Sequence, residues 1–186
     1  YQVDQSPRIE TRTKHTYIAI ANKHAQFISK LSKEDKSTLK TLYKKNSRIK
    51  YYGAETFAYA LSKTISAMGL AYAKLEIDLE YSGYENRIEE IIHRYHPTIS
   101  IVFIPVGHKK DAYAHHAAYG AFIGKQKEDV QIRSDRGTLY GVGQGVVTQK
   151  DESLMTGNTR GQSEKVYKKD MQKSTEWKKV YDLQPG

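Results

Sequence analysis

The chain predicts an α+β fold, with two or three helices packed on a mixed or antiparallel sheet and an extended C-terminal arm. Three observations carry this expectation. Phe57, Leu61, Ile65 and Met68 recur at helical spacing. Leu75, Ile77, Leu79 and Tyr81 then alternate with Lys74, Glu76, Asp78 and Glu80, the period of a half-buried strand. Beyond residue 148 apolar side chains become too sparse to build a core. The 186 residues, 38% of them hydrophobic, suit one domain. It is expected over residues 16–148, between an extended lead-in at 1–15 and a polar arm at 149–186.

Residues 1–15 are polar and contain Pro7, hence the lead-in. Thr16–Ala21 alternates and predicts a short strand. A short helical piece is expected over 23–31. Ser32 followed by Asp35 has the pattern of a capping box, so a helix should run from Lys33 to about Lys45 and end at Asn46-Ser47. The helix over Ala54–Met68 has Gly69 as its C-terminal cap. Its Ala54, Ala58, Ala60, Ser62, Ser66 and Ala67 permit close backbone approach and predict the packed centre of the domain. The alternating strand that follows has one wet, acidic face. Ser82 and Glu85 suggest a second capping box, and Ile88, Ile91, Ile92 and Tyr95 mark a helix that must stop before Pro97. Thr98–Val106 is the most apolar run and reads as a central buried strand. Tyr113–Ile123 reads as a strand of small and aromatic residues. Val130–Arg133 and Thr138–Thr148 read as a hairpin.

Composition removes several function classes. Cysteine is absent, which excludes disulfides, thiolate zinc sites and cysteine nucleophiles. No run of about 18 apolar residues exists, so no transmembrane span is expected in this chain. The sequence begins at Tyr1, which suggests a processed chain and a periplasmic or extracellular location, with a cytoplasmic one as the alternative. Fifteen tyrosines against four phenylalanines and one tryptophan suit wet interfaces, because a half-buried ring packs while its hydroxyl stays hydrated.

Charge is concentrated at one end. Residues 1–50 carry twelve Lys/Arg against four Asp/Glu and so hold +8 of the net +9. Lys33, Lys36, Lys40, Lys44 and Arg48 fall on one helix face at about 100° per residue. Such a face binds polyanions or an acidic partner, and Tyr51 and Tyr52 stand beside it as candidate stacking residues.

Three further groups bear on function. His93, His96 and His108 are candidate metal ligands, the first two in line with Glu89, although their spacing is not that of HExxH. Gly141, Gly143 and Gly145 share one parity and leave a bare strand face for close packing; no phosphate-loop lysine follows them. Trp177 and Tyr181 are candidate docking anchors on the polar arm. No catalytic motif or cofactor emerges. The sequence alone therefore predicts a non-enzymatic structural or interaction subunit of a larger assembly, in a bacterial envelope or extracellular machine, bound to other subunits or to itself. A nucleic-acid-associated protein acting through the basic helix 33–48 is the alternative, and a metal-dependent hydrolase is the second.

Overall fold

The computed structural model describes residues 1–105 and 111–134. In these residues four helices pack with a six-stranded mixed sheet, the α+β class that the sequence predicts. The sheet comprises β1 (Gln2–Ser6), β2 (Thr16–Ala21), β3 (Gln26–Leu31), β4 (Ala73–Asp78), β5 (Ile99–Ile104) and β6 (Val130–Ile132), in the order β5-β4-β1-β2-β3-β6. β1, β2 and β3 form an antiparallel meander; β4 joins β1 in parallel, β5 joins β4 in parallel, and β6 joins β3 in parallel.

The helices are α1 (Lys33–Lys45), α2 (Tyr52–Met68), α3 (Glu85–Tyr95) and α4 (Tyr113–Phe122). Strand alternation sorts them into two layers. Val3, Ile18, Ile20, Leu31, Leu75 and Ile77 face α2, and α1 and α3 flank it. Ala19, Ala21 and Ile28 face the other way and meet α4 through Ala114, Ala117, Ala118 and Ala121. α2 is buried over most of its circumference, as its small residues foretell, and Gly69 closes it in the left-handed region at φ 73°. The α1 cap also forms as expected, with the Ser32 hydroxyl accepting from the Asp35 amide at 2.9 Å. None of the described helices is long and apolar enough to cross a membrane.

Five expectations change. The supposed lead-in contains β1, which is paired on both sides within the sheet. Residues 26–31 form a strand rather than a helical piece, because Phe27, Ser29 and Leu31 face one layer and Ile28 the other. The apolar run at 99–104 lies at the sheet edge, paired only to β4, with Val102 38% exposed. An apolar run signals a strand without fixing its place in a sheet. Residues 113–122 form a helix, not a strand: alanines at i, i+3, i+4 and i+7 make a narrow face that lies flat on the sheet. At α3 the second capping box does not form; Tyr84 precedes the helix without a side-chain cap.

Candidate metal centre

β1 and β4 lie side by side and run in parallel, with Val3 opposite Ile77. Val3 and Ile77 point into the α2 layer, so the next residue on each strand, Asp4 and Asp78, turns to the opposite face. Glu80 follows two residues later. One carboxylate oxygen from each of Asp4, Asp78 and Glu80 lies within 4.8 Å of the other two. From this point the chain leaves β1 toward β2 on one side and leaves β4 toward β5 on the other. Parallel strands whose connections diverge in this way open a crevice at their carboxyl ends, the usual ligand position in such sheets.

The surroundings concentrate negative charge and exclude water. Asp4 is only 3% exposed. One of its oxygens accepts the Gln5 amide at 2.7 Å, and the other lies 2.8 Å from Nδ1 of His115, which α4 brings over β1. The Gln5 side-chain amide donates to Glu80 at 2.9 Å and to the Tyr81 hydroxyl at 3.0 Å. Those partners fix the amide orientation, and the Gln5 Oε1 is left buried with no hydrogen-bond partner in the same crevice. Arg8 donates to the Glu80 carbonyl at 2.9 Å, and its Nε lies 3.4 Å from the Glu80 carboxylate. Burial, and then the charge of Asp78, raise the Asp4 carboxyl to about 6. Burial, and then the charge of Asp4, raise Glu80 to about 7.

Three carboxylates forced together form an all-oxygen donor set. Such a set suits hard divalent cations of the Mg²⁺, Mn²⁺ and Ca²⁺ class rather than thiolate-bound zinc. The hydrogen bond between His115 and Asp4 fixes the position of that carboxylate.

The residues singled out from sequence lie elsewhere. Lys33 and Lys44 are exposed on α1 and Lys40 is half-buried. Lys36 leaves the polyanion-binding set: it is fully buried, with Nζ donating to Thr11 O at 2.6 Å and to the Thr16 hydroxyl at 2.8 Å. Arg48 pairs with the buried Glu55 at 2.6 Å. Tyr52 is buried and donates to Lys36 O, so its ring is not free to stack on a base; Tyr51 packs edge-on against Tyr84. His93 lies 2.8 Å from Ile99 O and His96 2.9 Å from Ser62 O, so neither joins a metal-ligating group among the described residues. His108, Gly141, Gly143, Gly145, Trp177 and Tyr181 lie outside the described residues.

The sequence reading missed Asp4, left His115 on a supposed strand, and took Asp78 and Glu80 for a solvated face. It did locate the charge. The loop from Pro7 to His15, which carries exposed Arg12 and Lys14, leaves the carboxyl end of β1 and is tied to α1 by Lys36 and by the Lys33 amide, which donates to His15. The 7–15 loop that leaves the carboxyl end of β1 is thus held against the start of α1.

No known protein family, curated protein or solved structure matches this chain.

Proposed function

We propose that this protein is a divalent-metal-dependent hydrolase of phosphodiesters whose substrate is a nucleic acid. The convergence of Asp4, Asp78 and Glu80 at the carboxyl ends of two parallel strands carries this reading. A bound Mg²⁺ or Mn²⁺ supplies Lewis-acid stabilisation of the phosphoryl oxygens and a more acidic water. Asp4, Asp78 and Glu80 would hold the cation, whose charge would offset their mutual repulsion. His115 holds the Asp4 carboxylate in place. Arg8, beside Glu80, steadies that carboxylate. Arg12, Lys14, Lys33, Lys40 and Lys44 supply the field that concentrates a polyanion. The reading takes the place of the assembly subunit that the sequence alone favoured, because the carboxylate cluster is a candidate catalytic set that the sequence did not offer.

The test is cleavage of end-labelled single- and double-stranded DNA and RNA by the full chain, with Mg²⁺, with Mn²⁺ and with EDTA. The expected result is cleavage of at least one substrate that needs the metal and disappears in Asp4→Asn. If no substrate is cut, or if cleavage survives EDTA and Asp4→Asn, the reading is wrong.

A further inference from the structure

On the face of the sheet that carries Asp4, the turn between β2 and β3 meets the first turns of α4 and encloses a groove of about 330 Å³. That volume falls in the range of small-ligand sites, roughly 300–1,000 Å³. Its composition has two parts. Ala21, Ala25, Ala117 and Tyr113 give it an apolar lining, with the Tyr113 side chain 37% exposed. Lys23, His24 and His116 supply nitrogen groups at the rim. The turn that presents them is braced, because the Asn22 side-chain oxygen accepts the amides of His24 at 2.8 Å and Ala25 at 2.9 Å. Those bonds use the Asn22 acceptor and leave its NH₂ as another donor in the groove. No Asp or Glu lines the groove among the described residues.

A lining of methyl groups and one aromatic ring receives a flat, weakly polar ring system. A rim of ammonium, imidazole and amide donors receives an anion. Together they match a nucleoside monophosphate unit better than either a bare anion or an apolar molecule. The location adds to the match. His115 and His116 are successive residues of α4; one reaches Asp4 and the other lines the groove, with ring centroids 5.9 Å apart.

We propose that this groove binds one nucleotide unit, with its phosphate on Lys23, His24 and His116 and its base against Tyr113 and the alanine lining. As a statement about the substrate of the neighbouring centre it rests on the function proposed above; as a binding site it stands alone. The groove then holds a nucleotide beside the scissile position and fixes where along the strand the carboxylates act.

Titration calorimetry of the full chain in EDTA with adenosine 5′-monophosphate, adenosine and inorganic phosphate separates the two claims. The monophosphate should bind at least about ten-fold more tightly than adenosine or phosphate, because only it engages both parts of the groove. The double substitution Lys23→Glu, His116→Ala should weaken it at least about ten-fold, and Tyr113→Ala several-fold. Both rim residues lie at the surface, and a melting curve for each variant checks its fold. No binding at millimolar monophosphate overturns the proposal. So does phosphate binding as tightly as the monophosphate, or binding that the rim substitutions leave unchanged. Binding of this kind by a protein that cuts no nucleic acid would uphold the groove and refute the hydrolase.

Discussion

Nδ1 of His115 lies 2.8 Å from Oδ2 of Asp4, although 111 positions separate the two residues. When Asp4 is ionised the imidazole N–H donates; when Asp4 is protonated the roles reverse. Either way α4 is pinned over β1 at the carboxylate cluster. Removal of such a supporting hydrogen bond typically lowers metal affinity or activity about 10–100-fold. His115→Ala should fall in that range, and His115→Asn, which keeps a donor, should recover part of the loss. Metal titration of both variants distinguishes orientation of Asp4 from general damage: the metal dissociation constant should rise in His115→Ala while the melting temperature without metal stays close to that of the parent.

The carboxylates also set a pH dependence for stability. Asp4 titrates at about 6 and Glu80 at about 7 in the folded protein, whereas ordinary carboxyls titrate near 4. Between those values the folded chain retains protons that the unfolded chain has released. Their contribution to stability is therefore complete below about pH 4 and is lost as pH rises through about 6 to 7. Metal-free protein should melt at a lower temperature at about pH 8 than at about pH 5.5, and saturating Mg²⁺ or Mn²⁺ should raise the melting temperature more at the higher pH. Asp4→Asn should flatten the metal-free profile and abolish the metal effect. An equal effect of metal at both pH values would remove these carboxylates as its ligands.

Lysines on α1 divide into two kinds with opposite phenotypes. Lys33, Lys40 and Lys44 meet solvent, and each one that contacts a phosphate should reduce the salt dependence of nucleic-acid binding by about one when changed to Gln. Their melting temperatures should not move. Lys36 holds Thr11 and Thr16 through a buried ammonium, and hydrogen bonds to a charged group are worth about 1.5–3 kcal/mol. Lys36→Ala should lose stability on that scale in urea denaturation. A Lys36 variant that melts normally but binds weakly would return this residue to the surface.

Local patterns were legible and convergent ones were not. The period of α2, its glycine cap, the Ser32 cap of α1 and the alternation of β4 all follow from neighbours within a few positions, and all appear in the structure. Lys36 was open to a better reading, since it shares its stripe with the buried Leu39 and Tyr43 at i+3 and i+7. The α4 error has a similar origin: aromatic residues suggest a strand, whereas the alanine spacing within the same segment is helical. The carboxylate cluster is different in kind. Asp4 and Asp78 meet only because β4 crosses back to pair with β1, and nothing local to either residue records that pairing. A charged residue on a short strand that starts apolar, Val3-Asp4, was the one available hint, and the polar residues around it hid the strand.

On the opposite side of the sheet a second charged cluster should behave as structure alone. Glu55 is 1% exposed and receives Arg48 at 2.6 Å, Arg87 at 2.8 Å and the Tyr43 hydroxyl at 2.8 Å. Those groups come from α1, the turn after it, α2 and α3, so one carboxylate joins every helix of that layer. Its charge is matched by two guanidiniums and a hydroxyl, unlike the carboxylates at Asp4, which crowd one another. Glu55→Ala removes the carboxylate partner of Arg48 and leaves Arg87 with Glu90 alone, and loss of one partner from such a buried network costs about 3–5 kcal/mol. Tyr43→Phe removes a single hydrogen bond and should cost about 1 kcal/mol. Denaturant midpoints measure both, and the double variant should lose less than the sum because the two share a partner. Metal affinity per folded molecule should be unchanged in Tyr43→Phe. If it fell together with stability, the two faces of the sheet would be coupled and the separation of roles drawn between Glu55 and Asp4 would fail.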